Sequence, residues 1–312
     1  MPSMDSYKLG YLKTLVTTPP DDFRRVAPQL YSGAARGYGY TTIKEAVKQI
    51  IRRPNIEATL PHVPNKADPH PILSVPSPKP LTLDAKTFRA GIRYYWEDEV
   101  DDMWGYWRDQ ARAFGTSIER TIELLAHEPF NRYADPTFTS GWDNLTLANA
   151  AHQLEGGGTY DNTLPAQPPS EALLEQVYDY FDNVPTPYGY PMKVNRIYVI
   201  TGDNYARRWE QIIGSPTAIA HPFSPGTTAN MNPNIPPLIS SADGRITVVR
   251  APYLVDKNLQ FFLGEGHELL FARRWQYVDS ENSKNPRATV QYAGVRLLSG
   301  WADARRVLVV KV

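Results

Sequence analysis

Residues 61–80, PHVPNKADPHPILSVPSPKP, hold seven prolines in twenty positions. Proline has no backbone donor and fixes φ, so this stretch cannot be an interior strand or helix. It reads as a linker or, because the strand-like LTLDAKTFRAGIRYYWE follows it, as the border of a long protruding β-hairpin. A second proline- and asparagine-rich loop occupies residues 215–244. With 28 prolines in 312 residues, the chain carries nearly twice the usual ~5%. These clusters punctuate the chain and leave regular structure to the stretches between them.

The first forty residues are polar and rich in Gly and Tyr, which predicts an extended arm. TTIKEAVKQIIRR then spaces Ile43, Ala46, Val47, Ile50 and Ile51 as on a helix, with Thr42 as cap and Pro54 as stop. From Glu99 the apolar residues Val100, Met103, Trp104, Trp107, Ala111, Phe114, Ile118, Ile122 and Leu125 fall on one helical stripe. Such a helix would be roughly 40 Å long, with the acidic run Glu97, Asp98, Glu99, Asp101, Asp102 at its positive end and Pro129 closing it. A helix capped by Ser170, a strand VNRIYVI and a helix DNYARRWEQIIG follow. The strands RITVVR, LQFFL, ELLFARRW, ATVQYAGVRLLSG and RRVLVVKV complete an α+β chain.

A chain of this length can bury a large core as one or two domains. Basic and acidic residues balance at 33 each, which gives neither a nucleic-acid footprint nor a polybasic membrane patch. The absence of cysteine excludes disulfides, thiolate catalysis and thiolate-bound metals, and fits a reducing compartment. No stretch approaches the ~18 apolar residues of a membrane span, and the N-terminus lacks a signal core. The expectation is a soluble protein made in the cytoplasm.

The run Gly156-Gly157-Gly158 is followed by Thr159-Tyr160-Asp161 rather than by Lys-Ser/Thr at a helix start, so it predicts a turn and no phosphate cradle. Histidines 62, 70, 127, 152, 221 and 267 show no metal-ligand spacing and read as ordinary hydrogen-bonded side chains. The acidic run at 97–102 reads as a solvated or ion-paired helix start. Trp96, Trp104 and Trp107 around it read as core or as interface anchors. Neither a nucleophile elbow nor a dinucleotide fingerprint is present. No catalytic, metal or cofactor site is nominated.

The order of the later segments resembles the major capsid proteins of tailed bacteriophages with the Hong Kong 97-type fold. The resemblance lies in the long helix followed by Asp143-Asn144-Leu145, Ala151-His152-Gln153 and a Gly/Asn-rich turn from Gly156 to Asn162. It continues through RIYVITGDNYARRWEQIIGS, DGRITVVRAPYL and the closing NPRATVQYAGVRLLSGWADARRVLVVKV. It covers residues 95–312 by motif and the N-terminal third by layout. Asp143-Asn144 departs from the Asp-Gly of many relatives, which bears on loop geometry.

The resemblance implies an N-terminal arm (1–56), an E-loop hairpin (57–98) and a P-domain with the spine helix (99–168). An A-domain (169–282) and a return strand with the final strand (283–312) would follow. It implies a non-enzymatic virion protein that assembles into hexamers and pentamers around double-stranded DNA held without sequence-specific contacts. Assembly would take place in the host cytoplasm, with no membrane and no cofactor. Portal, scaffold and decoration proteins are the further partners it implies; Lys79 and Lys86 belong to no recognisable crosslinking pattern. Arm and hairpin would find their apolar cover on neighbouring copies. The inter-subunit contact candidates are Arg24, Arg25, Arg52, Arg53, Lys86, Arg89, Arg93, Glu97, Asp98, Asp101 and Asp102. Two other readings stand beside this one: an encapsulin-type shell around cargo enzymes, and a carbohydrate-active enzyme using Glu97, Asp98 or Asp101 among the tryptophans.

Overall fold

A computed structural model of the chain describes residues 23, 25–35, 39–42, 49–52, 79–83, 85–95, 101, 105–214, 245–282 and 288–312. Helices are α1 (Ala27–Leu30), α2 (Tyr106–Ala126), α3 (Glu128–Asn131), α4 (Glu171–Asp182) and α5 (Asp203–Gly214). In the first third of the chain the strands are β1 (Gly39–Thr42), β2 (Gln49–Arg52), β3 (Lys79–Thr82) and β4 (Lys86–Tyr95). Short strands β5 (His152–Gln153), β6 (Thr159–Tyr160), β7 (Thr163–Leu164), β8 (Val184–Pro185) and β9 (Pro191–Met192) lie in the middle. The long ones are β10 (Ile197–Thr201), β11 (Ile246–Arg250), β12 (Leu259–Gly264), β13 (Leu269–Asn282), β14 (Ala288–Trp301) and β15 (Val307–Lys311).

Two sheets carry the fold. One has the order β11-β10-β12-β15-β7, the other β1-β13-β14-β4. In the first, β12 is buried along its whole length. Successive side chains of a strand point to opposite faces, so a strand buried on both faces must feed two cores. Phe261, Val307 and Val309 enter the core shared with α2 and α3, whereas Phe262, Leu308 and Val310 enter the core beneath α4 and α5. A smaller cluster of Leu83, Leu270, Ala272, Leu298 and Ala302 covers part of the second sheet.

α2 is the longest helix, 21 residues, and buries Ala111, Phe114, Ile118, Ile122 and Leu125 as the stripe predicts. It starts later than expected. Gly105 precedes it with φ +72°, a left-handed conformation that a continuing helix cannot contain, so Asp101 lies ahead of the first turn and only Asp109 within it. The remaining residues of the acidic run, with Trp96, Val100, Met103 and Trp104, lie outside the described residues. Ser170 caps α4 by accepting from the Leu173 amide at 3.2 Å, and Tyr205, Trp209, Ile212 and Ile213 turn inward from α5, both as expected.

Two expectations are corrected. Thr42 ends β1, and residues 49–52 form β2, paired antiparallel with β3 so that Ile50 faces Leu81 in the register. The described residues of the expected helix, 42 and 49–52, are strand: two adjacent isoleucines suit a strand, and pairing with β3 overrides a helical preference worth only tenths of a kcal/mol per residue. Nor is the whole N-terminal arm free of its own body. Val26, Ala27, Leu30 and Tyr31 are buried against α2 and β13. The segment is held because the Glu123 carboxylate accepts the Val26 and Ala27 amides at 2.9 to 3.1 Å, and the Tyr31 hydroxyl donates to Ala126 O at 2.8 Å. β13 and β14 are hydrogen-bonded to each other along their length.

Candidate assembly interface

The distal part of the second sheet is a three-stranded arm, β13-β14-β4, and its two faces differ. Register sets which side chains share a face. Gly294 lies between Tyr277 and Arg89, Tyr292 between Asp279 and Gly91, and Arg296 between Trp275 and Thr87. All nine lie on one face. The opposite face of β4 and β14 carries Phe88, Ala90, Ile92, Tyr94, Ala293 and Val295 and meets α2. There Tyr94 packs edge-on against Trp107 at 5.3 Å and donates to the Gln291 amide oxygen at 3.0 Å.

The first face has no covering element among the described residues, and it is aromatic. Tyr277 is 39% exposed, Tyr292 40%, and Tyr95 at the end of β4 also 40%. Both glycines on this face lie beneath a cross-strand tyrosine: a Cβ at Gly91 would meet Tyr292 at 2.9 Å, and one at Gly294 would meet Tyr277 at 2.5 Å. The rings therefore lie flat over the strands. Arg89 stacks its guanidinium over Trp275 at 5.6 Å. Flat aromatic rings among arginines are the composition of protein–protein contact cores. Beside this face β4 is an edge strand, and a groove of about 370 Å³ separates it from α2, lined by Phe88, Ala90, Phe114, Ile118, Ala293 and Val295.

A second surface is built by the loop from Ser140 to Leu164. Asp143 Oδ2 lies 2.6 Å from His152 Nδ1, and Asp143 Oδ1 accepts the Leu145 amide at 3.2 Å. Asn144 between them has φ +54°, the region where glycine is the easiest residue and asparagine the next, so the departure from Asp-Gly leaves the turn intact. His152 stacks on Tyr160, whose hydroxyl donates to Asp303 Oδ1 at 3.4 Å. Burial and the Asp303 charge push the Tyr160 hydroxyl far above the ordinary range. Buried Asn162 donates to Leu147 O and accepts the Asn149 amide. The glycine run is the turn between β5 and β6, with Gly157 and Gly158 at φ +93° and +96°. At the base, Ser140 Oγ bonds both the amide and the carbonyl of Trp301, which packs edge-on against Phe138.

The contact candidates distribute unevenly. Arg25 pairs with Glu119 of its own α2 at 3.1 Å, and Lys86 contacts Glu128 of α3. Arg89 and Arg93 sit on the bare face of β4, exposed, and Asp101 is exposed ahead of α2. Arg52 lies in β2. Arg24, Arg53, Glu97, Asp98 and Asp102 lie outside the described residues, as do His62, His70 and His221. Sequence reasoning missed Tyr277, Tyr292 and Trp275, whose alternation with glycine and arginine along paired strands was the available signal. No group of three or more His, Asp or Glu side chains suited to a metal ion occurs among the described residues. No helix there is long and apolar enough to cross a membrane.

No family model and no curated relative matches the sequence. Solved structures do match. The chain aligns with the capsid of an empty GTA particle at TM-score 0.53 and 12% identity, over 100% of this chain and 99% of that one. The fold is the Hong Kong 97-type capsid fold. A structure from Mycobacterium phage Patience aligns at TM-score 0.50 and 11% identity, covering 99% of this chain and 87% of that one.

Proposed function

We propose that this chain is the major capsid protein of a tailed bacteriophage. It self-assembles into hexamers and pentamers that close an icosahedral shell around double-stranded DNA. One observation carries the reading: the fold match spans 100% of this chain and 99% of a capsid chain. Balanced charge supports it, since a container must not grip the polyanion it encloses. The protein acts by assembling, not by catalysis, and its location is the virion shell, built in the host cytoplasm. Portal, scaffold and decoration proteins join it as separate chains.

In this reading residues 1–56 are the arm, 57–98 the extended hairpin and 99–168 the peripheral domain with the spine helix. Residues 169–282 are the axial domain, and 283–312 the returning strand and the final strand. Arg89, Arg93 and Asp101 contact neighbouring copies, and Arg25 and Lys86 first brace their own subunit. Closed shells repeat one heterologous contact by symmetry, so modest contacts suffice.

Negative-stain imaging of the purified protein tests this. Hollow polyhedral particles or ring-like capsomers are expected, and a monomer at high concentration would overturn the reading. Particles isolated from producing cells should contain DNA; protein cargo in its place would instead identify an encapsulin-type shell.

A further inference from the structure

Residues 25–35 are fastened to the body at two ends, and at each end sits a buried histidine that the geometry keeps uncharged. At the far end the Leu269 amide donates to His267 Nδ1 at 3.3 Å. That nitrogen therefore carries the lone pair, and the single ring proton sits on Nε2, which donates to Ser32 O at 2.9 Å. Around it the Ala35 amide bonds His267 O at 2.8 Å and the Gly266 amide bonds Gly33 O at 2.6 Å. A second proton would have to sit on Nδ1, donor against donor, inside a site with no exposed surface. The charged group facing the ring is the Arg306 guanidinium, which disfavours a further positive charge.

At the near end His127 closes α2. Its Nδ1 donates to Glu123 O at 2.7 Å, while Nε2 is buried with no partner and the ring meets Tyr253 edge-on. The positive charge of Lys257, from the loop over this end, disfavours a proton on its ring. One turn away the Glu123 carboxylate holds the Val26 and Ala27 amides, with Glu119 and Arg25 as its charged neighbours.

We propose that residues 25–35 are an acid-released strap: proton uptake by His267 and His127 frees this segment from its own body while both sheets stay folded. The proposal does not depend on the capsid reading. Burial holds both histidines down to about 4, against the 6.5 of an exposed imidazole. The open form thus takes up protons first, and closure is fully present above 6.5 and lost as pH falls to about 4. Glu123 opposes this: burial raises its carboxyl, so the closed form gains a proton there and some closure as pH falls.

Hydrogen exchange read by mass spectrometry on the full chain between pH 7 and 4.5, corrected for intrinsic rates, tests the strap. Amides of residues 26–35 should lose protection on the order of 100-fold per histidine, from the difference between 6.5 and about 4, while residues 259–264 keep theirs. His267→Gln keeps a donor for Ser32 O but takes no proton, so its loss should be smaller by that factor for one histidine. Strap protection unchanged with pH, strap and 259–264 opening together, or His267→Gln opening as steeply as the unaltered chain would each overturn the proposal. Should His267→Gln fold poorly, the comparison of strap with core in the unaltered chain decides alone.

Discussion

Asp143 Oδ2 and His152 Nδ1 stand 2.6 Å apart with both side chains almost wholly out of water, and the other ring nitrogen of His152 lies 3.3 Å from Leu147 O. Both nitrogens thus face acceptors, and the pair ties the two ends of the loop that precedes β5. Removing one member of a buried pair strands the other. Asp143→Ala should cost about 3–5 kcal/mol, and a double-mutant cycle with His152→Ala should show strong coupling. Denaturant titration of the four proteins measures both; additive effects would mean the pair contributes nothing as a pair.

The second core rests on Trp209, whose indole N–H donates to the Gln260 amide oxygen at 2.6 Å inside a fully buried site. Trp209→Phe keeps most of the ring but orphans that oxygen, an expected loss of about 1–3 kcal/mol. Trp209→Ala adds a cavity and should reach about 3–5 kcal/mol. Thermal unfolding should rank the two in that order.

Glu123 separates charge from hydrogen bonding. Glu123→Ala leaves the Val26 and Ala27 amides buried without acceptors and should cost about 2–4 kcal/mol. Glu123→Gln retains one oxygen for both amides and removes a carboxylate that burial already disfavours, so its cost should stay below about 1.5 kcal/mol. Because the carboxyl is raised in the folded protein, the deficit of Glu123→Gln should grow, not shrink, as pH falls through the carboxylate range. Denaturation at pH 7 and pH 5 would expose a reversed trend.

On the bare sheet face, assembly and stability should part company. Arg93→Glu and Tyr292→Ser alter exposed groups and should change folding free energy by less than about 1 kcal/mol. Both should sharply reduce particle yield in sedimentation. Unaltered yield with intact circular dichroism would remove this face from the interface.

Much of this architecture was legible in the chain. The stripe from Ala111 to Leu125, the Ser170 cap and the five late strands all carry a period that one packing partner is enough to satisfy. The misread parts depend on something beyond their own neighbourhood. Ile50 and Ile51 fit a helix or a strand equally well until β3 is placed beside them. Val26, Ala27 and Tyr31 look like an arm because their partners, Glu123 and Ala126, lie 95 to 97 residues away. The tyrosine-over-glycine pairs of the exposed face exist only once β13, β14 and β4 are in register.

The second sheet has unlike margins: β1, running parallel to β13, at one side and β4, antiparallel to β14, at the other. Copies joined β4 margin to β1 margin would meet through unlike surfaces, so each newcomer would enter facing the same way and leave the same margin open behind it. Growth then has a direction, and it ends only when curvature brings the last margin round to the first.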